Sequence, residues 1–383
     1  MKKIYKILTI IGTRPEIIKL SVVLKKFDKY FNHSIIHTGQ NYDYNLNEVF
    51  FKDLNIKKPK YFLNCAGETS IQTISNVISR TEKILKKEKP DGIVVYGDTN
   101  SCLSVITAKR LKIPTFHFEA GNRSFDQNVP EELNRKIVDH MSDINFVLTE
   151  HARRYLLDEG IRGDAIFKTG SFLPEIFENF RTHFSKSNIL KRLKLKQKGY
   201  LIYSFHREEN IDSLINLKKI SESINYLAKE KNIKILVSTH PRTKKQLKKL
   251  KEFRFNKLVN FHKPFGFFDY IQLQKNAYCT ISDSGTITEE SSLLNFPAIT
   301  IRNSHERPEG MDEGVVIMSG LDKYKILSAI EITVNANKNR SEKFEILDYK
   351  NKHVSDQVSK IIFSYIEFIN KNVWKKNNSI NRL

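Results

Sequence analysis

Short apolar runs that alternate with longer helix-like segments constrain the fold of this 383-residue chain more than any other feature. In the first half the runs include KILTIIG, GIVVYGD and PTFHFEA, and amphipathic segments such as PEIIKLSVVLKKF separate them. Near-continuous apolar runs are typical of parallel strands that are buried on both faces. The alternation therefore predicts an α/β fold, with helices covering both faces of a doubly wound parallel sheet.

The rhythm pauses near residues 168–174 and then restarts with GYLIYSFHR, IKILVSTHP and AYCTISDSG. A chain of this length exceeds one ordinary core, which favours two domains. We predict a Rossmann-like domain at 1–171, a second one at 172–353, and a C-terminal helical segment at 354–383.

Composition argues against several classes of partner. The net charge is +21, but the excess is mostly lysine scattered in short pieces, without an arginine-rich arm or interleaved aromatic residues. This favours a basic soluble surface over a nucleic-acid partner, with a specific polyanion partner as the alternative. Cys65, Cys102 and Cys279 have no metal or redox spacing. The first apolar run breaks at Gly12 and no run reaches about 18 residues, so we expect a cytoplasmic protein without membrane insertion.

Polar residues follow the predicted strands, where open α/β sheets bind ligands. Arg14 follows the first strand at a helix start, a position that favours anions, and Lys19 lies one turn further along. The alternative for Arg14 is an ordinary surface cation. In the second half, Ser284 and Gly285 precede a helix whose free amides suit a diphosphate, without a G-x-G-x-x-G or Walker pattern.

Three carboxylates mark the first half. Asp98 follows GIVVYG and Glu119 follows PTFHF, so parallel strands would direct both into one crevice, and Glu131 begins the next helix. Carboxylates held close together suit acid–base chemistry. For Asp98 alone, capping of the next helix is an equal alternative. We interpret Asp126 and Glu132 as surface-loop residues.

Further candidates lie in the second half. His206 follows the strand YSF, and histidine transfers protons near neutral pH, although a structural histidine is the usual alternative. Glu289 and Glu290 could accept hydrogen bonds from ribose hydroxyls. Arg307 lies in HERPEG, after a later strand.

Several motifs occur in order across nearly the whole chain: GTRPEIIK, GDTNS, HFEAG, PEELNR, FHREEN, SDSGTITEE and ERPE. Together they resemble the non-hydrolysing UDP-N-acetylglucosamine 2-epimerases. The resemblance implies a GT-B architecture of two Rossmann-like domains, with the active-site cleft between them and the C-terminal helix crossing back to the first domain. It also implies inversion of carbon 2 of a UDP-linked 2-acetamido sugar, without cofactor or metal, by a homodimer.

The resemblance also assigns roles to single residues. Those implied in catalysis are Asp98, Glu119, Glu131 and His206. Those implied in substrate binding are Arg14, Lys19, Tyr270, Ser284, Gly285, Glu290 and Arg307. Asn134 and Arg135 are interpreted as support for the helix behind the site.

Three segments, AGNRSFDQNVP, HTGQNYDY and KPFGFFDY, look like the capsule and O-antigen branch of this family. Members of that branch convert UDP-2-acetamido-2,6-dideoxy-L-talose to UDP-N-acetyl-L-fucosamine. Asn41 stands where regulated members tend to have histidine, which disfavours activation by a second bound UDP-GlcNAc.

The implied mechanism is elimination and re-addition of UDP, because the hydrogen on carbon 2 is not acidic. Asp98 is the predicted general base with Glu119 and Glu131 as partners, while His206 and Arg14 contact the diphosphate. The alternatives are a UDP-GlcNAc/UDP-ManNAc 2-epimerase, a GT-B glycosyltransferase, a hydrolysing epimerase and a nucleotide-sugar sensor.

Overall fold

The computed structural model describes residues 4–39, 51–304, 306–338 and 345–376. These residues form two compact units, one drawn from 1–179 and 348–383 and the other from 180–347. The first unit extends beyond the predicted boundary at 171 and resumes before 353, and contacts within it explain both differences. Glu175 accepts hydrogen bonds from the main-chain N (2.9 Å) and the hydroxyl of Ser355, while Lys168 pairs with Asp348 at 2.8 Å.

Strands and helices alternate in both units, which confirms the predicted α/β class. The strands of the first unit are β1 (Lys6–Ile11), β2 (Asn32–His37), β3 (Tyr61–Phe62), β4 (Gly92–Tyr96), β5 (Thr115–Ala120), β6 (Ile144–Val147) and β7 (Ile166–Lys168). Those of the second are β8 (Tyr200–Ser204), β9 (Lys234–Ser238), β10 (Val259–His262), β11 (Cys279–Ser282), β12 (Ala298–Thr300) and β13 (Ile317–Met318).

The α-helices of the first unit are α1 (Arg14–Tyr30), α2 (Ser70–Glu88), α3 (Val105–Arg110), α4 (Pro130–Met141), α5 (Glu150–Asp158), α6 (Leu173–Asn179) and, near its C-terminus, α16 (Val354–Asn372). Those of the second are α7 (Arg181–Lys186), α8 (Ile189–Arg192), α9 (Glu208–Ile211), α10 (Leu214–Lys231), α11 (Pro241–Leu247), α12 (Phe267–Asn276), α13 (Thr286–Leu294), α14 (Pro308–Asp312) and α15 (Lys323–Lys338). Short 3₁₀ turns occur at Asn100–Ser104, Gly163–Ala165 and Leu347–Tyr349. Among the described residues, no helix combines the length and apolar content needed to cross a bilayer.

Each unit contains one parallel sheet. The first has the strand order β3-β2-β1-β4-β5-β6-β7 and the second β10-β9-β8-β11-β12-β13. In each order the sequence reverses between two central strands, β1 and β4 in one sheet, β8 and β11 in the other. Ligands of open α/β sheets bind beyond the carboxyl ends of the strands at such reversal points.

Side-chain alternation explains why the strands read as continuous apolar runs. In β8, Leu201 and Tyr203 pack in one buried cluster, whereas Tyr200 and Ile202 pack in another. Successive side chains of a strand point to opposite faces, so both faces of this sheet are covered. The apolar runs therefore follow from burial on two sides.

Helix α16 packs against the first unit. The hydroxyl of Tyr5 donates to Glu367 at 2.9 Å, and the ring of Tyr5 contacts that of Phe363 edge-on. Near the other end of the helix, Lys26 of α1 pairs with Asp356 at 2.8 Å. These contacts extend along the helix and account for its place in this unit.

The carboxyl group of Glu16 closes the turn between β1 and α1. Its Oε2 accepts from the main-chain N–H groups of Gly12 and Thr13, and its Oε1 accepts from the hydroxyl of Thr99 at 2.6 Å. The first contacts satisfy amides that a helix start leaves without partners. The third ties this turn to the segment that follows β4. Glu16 is buried, and burial raises its pKa to about 7, outweighing the hydrogen bonds from Thr99, Gly12 and Thr13.

We predict that Glu16 makes the stability of the chain depend on pH between about 4.5 and 7. The folded state holds the proton more tightly than the unfolded chain, so the contribution is full below the unfolded pKa and is lost as pH rises through about 7. In urea unfolding, the difference between wild type and Glu16→Gln should change by about 3 kcal/mol over this range, at about 1.4 kcal/mol per pKa unit. Glu68 is exposed, so the free energy of unfolding of the control Glu68→Gln should have the same pH dependence as that of wild type. Parallel curves for Glu16→Gln would contradict the prediction.

Candidate active site

The predicted residues of the first unit follow the strands at its reversal point. Arg14 is the first residue of α1 and lies three residues beyond β1, and Asp98 lies two residues beyond β4. Because β1 and β4 are paired in parallel, both residues lie at the same edge of the sheet.

Glu119 belongs to β5 but departs from regular strand geometry. Its φ is +63°, and the pairing of β5 with β6 shifts register between Phe118 and Ala120, as in a β-bulge. Its Oε1 lies 3.1 Å from Nζ of Lys19, and the two side chains are only 11% and 7% exposed. A Cβ built on Gly97 would lie 3.7 Å from Oε2 of Glu119. The carboxylate therefore lies beside the turn that carries Asp98, as predicted from the two strand ends.

Asp98 is held by two neighbouring residues of α4. Its Oδ2 accepts from Nε of Arg135 and lies 2.8 Å from Nη2, while its main-chain oxygen accepts from Nδ2 of Asn134 at 2.9 Å. The alternative interpretation, in which Asp98 caps the next helix, is wrong, because the hydroxyl of Thr99 accepts from the N–H of Ser101 at the start of that turn. The Asp98 side chain remains 27% exposed.

Glu131 lies in the first turn of α4 and is partly exposed, whereas Glu132 is buried. The interpretation of Glu132 as a surface-loop residue is therefore wrong. Its carboxylate accepts from the N–H and hydroxyl of Ser124 and from the N–H of Phe125. Burial alone would raise the pKa of Glu132, but the Ser124 contacts and Arg135 outweigh it and lower the pKa. The sequence does not indicate that Glu132 is buried, because its partners Ser124 and Phe125 belong to another segment.

The segment 121–129 is anchored at its beginning as well. Arg123 is buried and pairs with Asp139 at 2.7 Å and with Glu159 at 2.6 Å. Gly121 has φ +77°, and a Cβ there would lie 2.5 Å from the main-chain oxygen of Ala152. Only glycine fits this approach without a shift of the backbone. Asp126, further along, accepts from Asn128 in the exposed part of the segment.

The predicted residues of the second unit gather around a cavity of about 170 Å³ at its reversal point. His206 and Ser284 follow β8 and β11, the strands between which the order reverses. The lining residues are Ser204, His206, Ser238, Phe265, Tyr270, Gln274, Ser282, Ser284, Thr286 and Glu290. Four predicted residues therefore share this cavity: His206, Tyr270, Ser284 and Glu290.

Asp283 orients His206, and our sequence reasoning missed it. It is fully buried and accepts from the N–H groups of His206 and Arg207 and from Nδ2 of Asn210. Its Oδ1 also lies 3.2 Å from Nδ1 of His206, which leaves Nε2 for a ligand. Burial alone would raise the pKa of Asp283, but His206, Asn210 and the Arg207 main chain lower it to about 2. The available signal was an acidic residue directly after the apolar run CTIS.

Two further cavity residues lie beside Glu290. Nε2 of Gln274 donates to Oε2 of Glu290 at 2.7 Å, while Oε1 of Gln274 is buried without a hydrogen-bond donor among the described residues. Burial raises the pKa of Tyr270 well above its ordinary value, so its hydroxyl stays protonated. The cavity thus offers a carboxylate, an amide oxygen and a hydroxyl.

Gly285 and Arg307 are not among the residues that line this cavity. Arg307 is buried and donates to Glu289 at 3.2 Å. A Cβ on Gly285 would lie 3.5 Å from Oε2 of Glu306. Their roles, like those of the other site residues, stay predictions.

The aromatic segment KPFGFFDY is mainly structural. Phe267 and Phe268 pack against Phe184, with ring centroids 5.5 and 5.2 Å apart, inside the second unit. Only Phe265 and Tyr270 of this segment line the cavity. In HTGQNYDY, the segment that includes Asn41, residues 40–44 lie outside the described residues.

Comparisons with known proteins identify the family of this chain. The family described as UDP-N-acetylglucosamine 2-epimerase matches residues 25–367. A relative with that name from Methanocaldococcus jannaschii is 39% identical over 88% of this chain and 95% of its own length. The structure of UDP-N-acetylglucosamine 2-epimerase from Rickettsia bellii has 48% identity and a TM-score of 0.90, covering 97% of this chain and 100% of that one. A crystal structure of the Methanocaldococcus jannaschii enzyme in complex with UDP-GlcNAc and UDP has 36% identity and a TM-score of 0.86, covering 94% and 99%.

The match spans both units and far exceeds what a shared fold alone requires. The chain therefore belongs to the UDP-N-acetylglucosamine 2-epimerase family of isomerases.

Proposed function

We propose that the chain inverts carbon 2 of a UDP-linked 2-acetamido sugar by elimination and re-addition of UDP. The observation that carries this proposal is the cavity at the reversal point of the second sheet, lined by His206, Tyr270, Ser284 and Glu290. The related enzyme of known structure that was crystallised with UDP-GlcNAc and UDP supports the choice of ligand. A cytoplasmic location and a homodimer remain predictions.

The second unit is proposed to bind the nucleotide. Ser284 precedes the nine-residue helix α13, whose first amides and positive dipole end favour the diphosphate. Glu290 is proposed to accept hydrogen bonds from the ribose hydroxyls, and His206, oriented by Asp283, to contact the diphosphate. The buried Oε1 of Gln274 supports a ligand that brings its own donor group to this cavity.

The first unit is proposed to carry the proton transfers. A carboxylate removes the proton from carbon 2 while the bond between carbon 1 and the UDP oxygen breaks, and UDP leaves with the electron pair. The 2-acetamido-glycal then gains a proton on the opposite face of carbon 2 as UDP adds back to carbon 1. Asp98 is the proposed general base, with Glu119 and Glu131 as partners. Lys19 holds the carboxylate of Glu119 in place, because the two side chains form a largely buried ion pair.

The rival activities differ in their products. A GT-B glycosyltransferase would consume an acceptor, and a hydrolysing epimerase would release free sugar and UDP. A nucleotide-sugar sensor would bind without turnover and would have no use for the clustered carboxylates Asp98 and Glu119.

For the sugar itself, we propose UDP-2-acetamido-2,6-dideoxy-L-talose, giving UDP-N-acetyl-L-fucosamine. The support is Phe125, which is 67% exposed at φ +55° on a segment that Glu132 holds in place. Apolar rings suit a carbon-6 methyl group better than a hydroxymethyl group. The packing of Phe267 and Phe268 on Phe184 removes part of the apolar surface predicted for this role. The alternative substrate is UDP-GlcNAc, which the related crystal structure contains.

We predict that turnover in deuterated water places deuterium on carbon 2 and not on carbons 3 to 5, because only carbon 2 loses its proton. Asp98→Asn should lower kcat by about 10²–10⁴-fold, the range for removing a proton-transfer group. The exposed Asp164→Asn in the same unit is the matched control and should retain activity. NMR and mass spectrometry of the product measure the exchange. Turnover without deuterium at carbon 2 would refute the mechanism.

UDP affinity tests the nucleotide site separately from the chemistry. Glu290→Gln should weaken UDP binding about 10–100-fold in calorimetry, since a hydrogen bond to a charged group contributes about 1.5–3 kcal/mol. Arg14→Ala should weaken it by a few kcal/mol at most. The exposed Glu252→Gln should bind UDP like wild type. If Glu290→Gln binds UDP as tightly as wild type, Glu290 does not accept hydrogen bonds from the ribose.

Substrate choice can be measured by competition in one reaction. With both nucleotide sugars present, the 6-deoxy-L-talose substrate should have the higher kcat/KM. An unsatisfied hydroxyl in the pocket costs about 1–3 kcal/mol, which corresponds to roughly a ten- to hundredfold preference. Equal consumption, or faster consumption of UDP-GlcNAc, would assign the chain to the alternative substrate.

A further inference from the structure

Arg135 joins two carboxylates of different segments. Its side chain is 3% exposed; Nε and Nη2 lie 2.8 Å from Oδ2 of Asp98, and Nη1 lies 2.8 Å from Oε2 of Glu132. The planar fork of a guanidinium fixes the direction of each of these contacts, which a lysine ammonium cannot do. Arg135 therefore sets both the position and the orientation of the Asp98 carboxylate.

The contact leaves half of the Asp98 carboxylate available. Oδ2 is bound to Arg135, whereas Oδ1 accepts no hydrogen bond from the described part of the chain. The adjacent Asn134 holds the main chain of Asp98 through its carbonyl oxygen. One oxygen is thus fixed and the other remains for proton transfer.

Glu132 carries the contact onward to the segment 121–129. The same Oε2 that binds Arg135 also accepts from the N–H and hydroxyl of Ser124, and Oε1 accepts from the N–H of Phe125. A shift of this segment would break the contacts of Glu132 and free one side of Arg135. The path from segment 121–129 through Glu132 and Arg135 to Asp98 is continuous and, apart from its ends, buried.

We propose that Arg135 is a positioning residue that couples the arrangement of segment 121–129 to the orientation of the general base, Asp98. Glu132 transmits the coupling. This inference rests on the proposed function, in which Asp98 removes the proton from carbon 2. A purely structural ion pair would affect stability, but it would not govern the proton-transfer step.

The experiment measures kcat, KM, UDP affinity and deuterium exchange at carbon 2 in Arg135→Ala and Arg135→Lys. Arg135→Ala should lower kcat and the exchange rate by about 10²-fold, the effect of displacing a catalytic group by about 1 Å. KM and UDP affinity should stay within about threefold of wild type, because the substitution leaves the residues that bind the nucleotide unchanged. Millimolar guanidinium should raise the kcat of Arg135→Ala at least about tenfold, because the ion can occupy the space left by the arginine side chain beside the partly exposed Asp98. Guanidinium should have no such effect on wild type.

Lys109→Met is the matched control, because Lys109 pairs with the buried Asp143 in the same unit. Asp143 also accepts from the N–H of Thr115 at the amino end of β5, the end opposite to Glu119. This variant should lower the thermal midpoint while kcat stays near wild type. Glu132→Gln should lower kcat without rescue by guanidinium, because its Arg135 is still present.

Several results would overturn the inference. One is a kcat for Arg135→Ala equal to that of Lys109→Met. Another is the absence of guanidinium rescue in Arg135→Ala. The third is a loss of UDP affinity in Arg135→Ala that equals its loss of kcat. If Arg135→Ala does not fold, Arg135→Lys decides, and wild-type kcat in that variant would also overturn the inference. Absence of carbon-2 exchange in the wild type would instead contradict the proposed function.

Discussion

Parallel strand pairing is the constraint on which the candidate site depends. Every pairing among the described strands is parallel, so all strands of a sheet end at the same edge. Arg14, Asp98 and Glu119 are far apart in sequence, and strand pairing alone brings them to one edge of the sheet. Contacts between helices are not required for this. The same geometry places His206 and Ser284 together in the second sheet. The site is a consequence of the strand ends, and the helices provide the burial that keeps the strands in place.

Charge pairing explains how the carboxyl edges of the two sheets carry so many ionisable groups. A buried carboxylate without a partner would be strongly destabilising, so each has a cation or several N–H donors. Lys19 pairs with Glu119, Arg135 with Asp98 and Glu132, and His206 with Asp283. The supporting groups Glu132 and Asp283 are fully buried, while Asp98 and His206 remain partly exposed. Asp98 and His206 can therefore reach a ligand, while Glu132 and Asp283 hold the groups around them in place.

Sequence patterns predicted the α/β class, the two parallel sheets and the positions of the strand ends, because these depend on local apolar runs and on helix-start residues. The family followed from motifs such as GDTNS and SDSGTITEE. What the patterns did not predict depends on tertiary partners. Glu132 appeared to be a surface residue because its partners Ser124 and Phe125 belong to another segment. Asp283 was overlooked because its role comes from His206, 77 positions away in the chain.

The backbone of Glu119 has a consequence for how this protein can change under selection. A non-glycine residue at φ +63° carries about 1–3 kcal/mol of conformational strain, which glycine would relieve. Glycine alone, however, would take the carboxylate away from the buried ammonium of Lys19, which costs more than the strain that it relieves. Thermostabilised descendants of this chain would therefore be expected to change Glu119 and Lys19 together, and to lose turnover when they do, rather than to replace Glu119 alone.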